Sequence, residues 1–185
     1  IFYKGMKLLK YEGYNLTFEP EILALKVFKK LHTRDHSKDK SRFIQELAFI
    51  YFYSDPRSDY QYLTDENERL KAIVEGEGLP DDWKIDKILQ DAIDYYSSFK
   101  PTSALLLEDT RAAVDKLRQL LRNIDLTEVD DKGKPIYTLN TITATIKQVP
   151  SLVKDLDEAE KTIAREIMQD ESIRGSQEKS MFEDE

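Results

Sequence analysis

The longest apolar pattern in the sequence lies near its end, where apolar side chains recur at steps of three and four residues. The series is Ile142, Ile146, Val149, Val153, Leu156, Ile163 and Ile167, with the acidic Glu160 at the one position where the pattern is interrupted. This spacing corresponds to a repeat of about 3.5 residues, which is typical of a helix that packs lengthwise along another helix. We therefore predict a long packing helix over residues 140–170, with Pro150 either bending it or dividing it into two.

Apolar spacing elsewhere predicts a mainly α-helical bundle that follows a short β-hairpin arm at residues 1–18. The arm alternates loosely and is interrupted at Glu12-Gly13-Tyr14, which predicts strands over residues 7–11 and 15–18. Helical spacing between capping residues and Pro or Gly breaks predicts five helices before the long one. These helices are expected to begin near Pro20, Ser37, Thr64, Ile85 and Thr102, and to end near Leu31, Tyr53, Val74, Phe99 and Asn123.

The segment before the long helix contains a polar turn over residues 130–134, between the apolar stretches 126–129 and 136–139. This arrangement is consistent with a second small hairpin near residues 126–139. All of these elements together, residues 1–171, are expected to form a single helical domain.

Residues 172–185 are too polar and too rich in Gly, Ser and acids to fold alone, so we predict an extended tail there, either flexible or docked to a partner. An apolar pair, Met181-Phe182, lies near the end of this acidic segment. Linear peptides that bind a neighbour's groove have this character, although a frayed terminus can have it too. The candidate interface residues are the apolar series of the long helix together with Ile173, Arg174, Met181 and Phe182.

Composition bounds the class of protein without assigning a function. The chain has 185 residues, of which 35% are charged and 40% hydrophobic, as expected for one domain, with or without an appendage. No apolar run approaches the roughly 18 residues of a membrane span, so we expect no membrane partner. The sequence has no Cys, which excludes disulfides and thiolate metal sites and suits assembly in a reducing cytoplasm.

The net charge of −8 is unevenly distributed. Residues 1–53 contain ten basic and six acidic residues, a net charge of +4, whereas the remainder contains 18 basic and 30 acidic residues, a net charge of −12. This polarity is compatible with head-to-tail pairing between copies of the chain, and also with charges that only cover solvated faces. We expect no specific nucleic-acid binding, because the acidic majority of the chain repels phosphate.

Two groups of residues resemble metal ligands without completing a site. His32 and His36 have the spacing of two imidazoles on one helix face, but the sequence between them indicates a helix end that would separate the rings. Asp55, Asp59 and Tyr60 share one loop, yet the alternating acids, central Gly and later Glu of a calcium loop are missing. We therefore interpret Asp55 as the cap of a turn and expect no metal ion and no cofactor.

The sequence also lacks the usual signs of an active site. No Ser or Thr has an adjacent His to act as its base, and Gly76-Glu77-Gly78 leads into an acidic turn and not into a phosphate-binding Lys and Ser. The single tryptophan, Trp83, is interpreted as packing the preceding turn onto the core, with an interface anchor as the alternative. We predict a protein that is not an enzyme.

Three segments resemble virion structural proteins of the crAss-like tailed bacteriophages: residues 41–58 (SRFIQELAFIYFYSDPRS), 78–83 (GLPDDW) and 173–184 (IRGSQEKSMFED). The resemblance covers most of the chain from about Leu16 onward, and its motifs are structural and not catalytic. It implies a head–tail connector that forms a ring at the portal vertex or neck. The implied location is the virion, after assembly in the host bacterial cytoplasm, and the implied partners are copies of the chain and neighbouring portal or neck and tail proteins.

Two further hypotheses stay open beside this one. The chain could be a soluble adaptor or regulatory domain that binds one protein partner through its C-terminal tail. A hydrolase or metal enzyme that uses His32, His36 and nearby acids is the third hypothesis, and it would need catalytic partners that the sequence does not offer.

Overall fold

Six α-helices follow a two-stranded antiparallel hairpin in the computed structural model, which describes the backbone of residues 6–180 and the side chains of residues 7–169 other than Ile167. The strands are β1 (Leu9–Glu12) and β2 (Asn15–Phe18), and the helices are α1 (Lys26–Arg34), α2 (Ser41–Ser54), α3 (Glu66–Gly76), α4 (Lys87–Ser97), α5 (Thr102–Asn123) and α6 (Leu139–Ser180). Short 3₁₀ helices cover Met6–Leu8, Pro20–Ala24 and Asp59–Tyr62. The predicted mainly helical class with an N-terminal hairpin is confirmed.

The hairpin has the tightest turn that two antiparallel strands allow. Glu12 pairs with Asn15, so that Gly13 and Tyr14 alone form the turn, with φ angles of 55° and 64°. Positive φ at both central residues is the requirement of a type I′ turn, whose twist matches that of the strands. The first strand begins at Leu9, two residues later than predicted, because the residues before it form a 3₁₀ turn.

The chain divides into two compact units, Ile1–Ala104 and Leu105–Glu185. The single helical domain expected over residues 1–171 stays a prediction. The boundary lies within α5. All sixteen side chains of the main hydrophobic core belong to the first unit. Apolar periodicity marks the face that a helix can bury, but it does not say which helices share one core, and this is why the division was not predicted.

The core of the first unit is built around α2, which has almost no polar face. Its buried side chains include Phe43, Leu47, Phe49 and Ile50, and α1, α3, α4 and the hairpin all pack against this helix. The hairpin contributes Tyr11, whose ring lies edge-on to Phe52 at a centroid distance of 4.9 Å. The apolar end of this helix, residues 49–53, therefore lies centrally in the core.

Capping explains why two helices begin later than predicted. We predicted Ser37 as the N-cap of α2, but the side chain of Asp35, several residues before the helix, accepts the hydrogen bond at its start. Its carboxylate accepts hydrogen bonds from the Ser37 N–H and hydroxyl at 2.8 and 2.6 Å and from the Phe43 N–H at 2.8 Å. Similarly, Asp65 and not Thr64 caps α3, accepting from two backbone N–H groups of its first turn. A carboxylate with free lone pairs satisfies several orphan amides at once.

The end of α3 depends on two glycines. Gly78 has a φ of 62°, and the N–H of Leu79 returns to the carbonyl of Val74 at 3.0 Å, as in a helix that ends on a left-handed glycine. Gly76 lies against the hydroxyl of Tyr60, so that a Cβ at this position would overlap that oxygen. The predicted stop at these glycines is confirmed.

The second unit contains most of α5 and the whole of α6. Between them, residues 126–139 form a turn with one isolated bridge, Val129 to Pro135, in place of a second hairpin with strands. Pro150 lies inside α6, so the long helix is not divided there. We predicted an extended tail from residue 172, but α6 continues to Ser180, so the first part of the predicted tail is helical. Residues 181–185 lie outside the described part.

None of the helices in the described part of the chain is both long enough and apolar enough to span a membrane.

We expect Gly76→Ala to lower the free energy of unfolding by about 1–3 kcal/mol, as overpacked sites do. An alanine at an ordinary helical glycine would instead stabilise the protein. The cause is the Tyr60 hydroxyl, which is held beside Gly76 by its hydrogen bond to Glu77 Oε1 at 2.8 Å. Urea unfolding of Gly76→Ala, Tyr60→Phe and the double variant measures the coupling energy between positions 76 and 60. Equal costs of the alanine in both backgrounds would contradict the proposed overlap.

The pKa of Asp35 is lowered from 3.8 to about 2, first by the hydrogen bond from the Ser37 side chain and also by those from the Phe43 and Ser37 backbone. A lowered folded-state pKa means that this stabilisation is present above pH 3.8 and is lost as the pH falls through about 2. We expect Asp35→Asn to be less stable than wild type at pH 7, with the difference shrinking below pH 3.8.

Urea unfolding across pH 2 to 7 measures this dependence. The matched control is Asp81→Asn, because Asp81 is exposed and none of the described residues donates a hydrogen bond to its side chain. A difference between Asp35→Asn and wild type that stays constant down to pH 2 would contradict the capping interaction.

Candidate functional site

The apolar series of the long helix forms one face of α6 and is only partly covered. Ile146 and Val153 are 53% and 51% exposed, whereas Ile163 is 4% exposed. The other described members, Ile142, Val149 and Leu156, are half-buried. The face is therefore buried near Ile163 and open to solvent at Ile146 and Val153, nearer the start of the helix.

The second unit as a whole buries few of its apolar side chains. Among its described residues, the buried hydrophobic side chains are Leu107 and Ile163. Ten large hydrophobic residues of the unit are exposed: Leu105, Leu106, Leu120, Leu126, Val129, Ile136, Leu139, Ile146, Val153 and Met168. Single exposed apolar residues are normal on any protein, but a concentration of them on two helices and the segment between them is typical of a surface that another protein covers.

An ion pair between α5 and α6 links Arg111 to Glu160, with a separation of 2.9 Å. Glu160 is the acid that interrupts the apolar series, and the structure gives the reason for its position: it pairs with a cation on the neighbouring helix. Because the two side chains are 22% and 46% exposed, solvent screens the pair, which contributes about 0–1 kcal/mol. Apolar contacts, and not this pair, would have to supply most of the energy of any interface here.

The remaining predicted interface residues lie at the edge of the described structure or beyond it. The backbone of Ile167, Ile173 and Arg174 belongs to α6. Met181 and Phe182 lie outside the described residues.

A cluster of ion pairs in the first unit was not predicted from the sequence. Glu46 is buried and accepts hydrogen bonds from Arg34 at 2.6 Å and from Arg42 at 2.9 Å. Arg34 also binds Asp86, which caps the start of α4. Together with Trp83, these residues line a cavity of about 420 Å³. Only Arg42 to Glu46 has a recognisable spacing, i to i+4, because the other partners are far apart in the sequence.

The charges of this cluster connect α1, α2 and the start of α4. Burial acts to raise the pKa of Asp86, but hydrogen bonds from the Leu89 N–H and the Arg34 guanidinium outweigh it and leave the pKa below its usual value. Asp86 therefore stays charged and paired with Arg34. A carboxylate held in this state is a poor proton acceptor.

A second buried cluster stabilises the end of α2. Asp55 is fully buried and accepts hydrogen bonds from Arg57 and from the Tyr96 hydroxyl, both at 2.6 Å. Burial and then the nearby Asp55 charge raise the pKa of Tyr96, so this phenol stays protonated. Arg57 also donates to the carbonyl of Leu9 in the hairpin at 3.0 Å. This cluster connects the hairpin, α2 and α4, and it extends the predicted turn-capping role of Asp55.

The two histidines do not meet. His32 lies on α1 with its ring edge-on to Phe43 at 5.1 Å, and His36 is exposed beyond the end of that helix. The predicted helix end between them is confirmed. Across the described residues, no three His, Cys, Asp or Glu side chains are grouped so as to hold a metal ion.

Trp83 packs against the core from the turn before α4. Its ring is 5.5 Å from that of Phe49, and the side chain is half-buried. Its indole N–H is buried and finds no hydrogen-bond acceptor among the described residues. The interpretation of Trp83 as a side chain that packs this turn onto the core agrees with its position.

No protein-family model, curated protein sequence or solved structure matches this chain. The resemblance to phage virion proteins is therefore carried by the residues of the three segments alone, and it stays a prediction.

We expect Arg34→Ala to lower the free energy of unfolding by about 1–3 kcal/mol, because the buried Glu46 carboxylate loses two hydrogen bonds while Arg42 still balances its charge. Arg34 is 15% exposed and Glu46 only 2%. The matched control is Arg42→Ala, which removes the other cation on Glu46. Because Arg42 is 55% exposed, we expect that loss to cost about 0–1 kcal/mol. Urea unfolding measures both, and similar losses for the two variants would contradict the distinction.

Proposed function

We propose that this chain is a non-enzymatic structural protein that assembles with copies of itself through the apolar face of α6. The observation that carries the proposal is the half-exposed state of Ile146 and Val153, in a helix whose apolar repeat suits lengthwise packing against another helix. A monomer gains nothing from leaving these side chains in water.

The first unit supports this proposal because its hydrophobic core and its buried charges are satisfied within the unit. Its core is closed around α2. Two of its buried carboxylates, Glu46 and Asp55, are paired with arginines, and the third, Asp35, accepts hydrogen bonds from Ser37 and Phe43. The second unit has the opposite character, with ten large hydrophobic residues exposed among those described. A stable module joined to an incompletely buried one is the arrangement expected of a building block.

The proposed setting is a ring at the portal or neck of a tailed-phage virion, where it joins head and tail and contacts neighbouring portal or neck and tail proteins. The resemblance of residues 41–58, 78–83 and 173–184 supports this setting. A ring needs a heterologous contact, in which one face of a subunit meets a different face of the next. The face of α6 can supply one side of such a contact, and the exposed residues of α5, Leu106 and Leu120, can supply the other.

Apolar burial can supply enough energy for this contact. Fully burying an aliphatic side chain contributes about 1.5–3 kcal/mol, and Ile146 and Val153 retain about half of their surface for a partner. Each would add roughly 1 kcal/mol on association. Several such residues on facing helices reach the range of a stable interface, with little help from exposed ion pairs.

We expect Ile146→Asp with Val153→Asp to abolish assembly while leaving the monomer folded, because a charged carboxylate cannot be buried in an apolar interface without a partner. The mass of the purified full chain, measured by light scattering, reports assembly, and circular dichroism reports folding. Electron microscopy of the native particle would show the wild-type ring at one vertex.

The matched control is Ala144→Asp with Ser151→Asp. These exposed residues have the same seven-residue separation but lie on the opposite side of α6, given 3.6 residues per turn. We expect this variant to assemble normally. Loss of folding in Ile146→Asp with Val153→Asp would mean that the face is ordinary core. A monomeric wild-type chain absent from any particle would favour the adaptor hypothesis instead.

A further inference from the structure

A shallow groove of about 490 Å³ lies on the first unit, between α1 and the start of α4. Five of its lining residues come from α1 and one from α4: Lys26, Lys29, Lys30, Thr33, Arg34 and Ile88. Steps of three and four residues place the α1 side chains on one face of that helix. The charged residues on this face are all basic, whereas a helix face that only contacts solvent usually carries both positive and negative charges.

The positive charge of the groove is not compensated within the described structure. Lys26, Lys29 and Lys30 are exposed, and none of them forms an ion pair with any residue in the described range. Arg34 differs, because it is held by Glu46 and Asp86. The groove therefore presents three free ammonium groups beside one guanidinium that already has its partners.

The floor of the groove is apolar in spite of these charges. Ile88 is half-buried there, and lysine side chains present methylene stems below their charged ends. A ligand that uses the whole groove would combine an apolar anchor with several negative charges. A bare phosphate would use only the charges, and nucleic acid would also be repelled by the chain's net charge of −8.

One segment of the chain has the required chemistry. Residues 181–185 read Met-Phe-Glu-Asp-Glu, in which an apolar pair precedes the longest uninterrupted run of acids in the sequence. Its three carboxylates match the three free lysines in number and are opposite in sign. The segment directly follows α6, the helix proposed to join copies of the chain.

We propose that the α1–α4 groove of one copy binds residues 181–185 of another copy, with Phe182 as the apolar anchor and Glu183, Asp184 and Glu185 facing the three lysines. This inference rests on the proposed self-association and gives that association a second contact. The contact pairs two different surfaces, as a ring requires. It also contributes to the specificity of pairing more than to raw affinity, since exposed ion pairs are individually weak.

A charge-swap experiment tests the contact directly. A fluorescein-labelled peptide of residues 172–185 is titrated with the full chain, and binding is followed by fluorescence anisotropy. We expect Lys26→Glu with Lys30→Glu in the full chain to weaken binding by at least about tenfold, since two attractive pairs become repulsive. A peptide carrying Glu183→Lys and Asp184→Lys should bind this variant better than it binds wild type.

Two controls separate the groove from general charge effects. Lys71→Glu with Lys116→Glu makes the same change of charge at exposed lysines outside the groove, and it should leave binding within about twofold of wild type. A peptide with Phe182→Ala should lose affinity if the apolar anchor is real. No binding of the wild-type peptide, equal losses in both lysine variants, or no recovery in the charge swap would each overturn the proposal.

The outcome is separable from that of the proposed function. The variant Ile146→Asp with Val153→Asp keeps the groove intact, so we expect it to bind the peptide normally even though it fails to assemble. The variant Lys26→Glu with Lys30→Glu could lose peptide binding and still assemble. That result would mean that the α6 contact is sufficient for assembly. The two proposals are therefore distinguishable, because peptide binding tests the groove and assembly tests the α6 face.

Discussion

The fold of the first unit depends on the burial of α2, a helix that has too few polar side chains to face water. Burying an aromatic or aliphatic side chain contributes about 1.5–3 kcal/mol, and α2 presents such residues around most of its circumference. Because one neighbour can cover only one side of a helix, several elements are needed to enclose it. The hairpin, α1, α3 and α4 all serve this purpose.

The buried charges of the first unit follow from the same constraint. Elements that converge on one apolar helix bring their ends together, and those ends carry unsatisfied backbone groups. Asp35 accepts a hydrogen bond from a backbone N–H at the start of α2, and Ser58 and Gln61 donate to the last carbonyls at its end. Glu46, on α2 itself, is buried because its helix is enclosed, and it is held by two arginines. These ion pairs are consequences of enclosure, and removing one partner would leave a charge without water or counterion.

The second unit lacks a helix like α2, and its chemistry differs accordingly. Its helices α5 and α6 each have an apolar face with polar residues opposite, so neither is forced into the centre of a core. Two hydrophobic side chains are buried among those described, and many more are exposed. This difference is what makes self-association a reasonable proposal: the apolar surface that folding leaves uncovered is available for binding. The lysine-rich groove of the first unit would add a polar, sign-specific contact to that apolar one.

Local rules were sufficient wherever a few neighbouring residues decide the conformation. The hairpin followed from Gly13 between alternating strands, the end of α3 from Gly76 and Gly78, and the helical faces from residues three and four apart. Caps were less predictable: both Ser37 and Thr64 were plausible N-caps, but nearby aspartates, with two acceptor oxygens each, accepted the hydrogen bonds instead. The apolar residues of α6 that we propose as an interface were chosen by spacing alone, since an apolar stripe is visible in any helical sequence.

The sequence by itself determined the class of fold, most of the helices and the apolar stripe, because helix propensity and periodicity depend on residues that are close together in the chain. Only the tertiary structure decided that the chain divides within α5, that Arg34 reaches both Glu46 and Asp86, and that Ile163 is buried while Ile146 is open. Each of these depends on which distant surfaces meet. A stripe predicts that a side chain can be buried, but the amount of water it loses is set by the atoms that the rest of the chain brings against it.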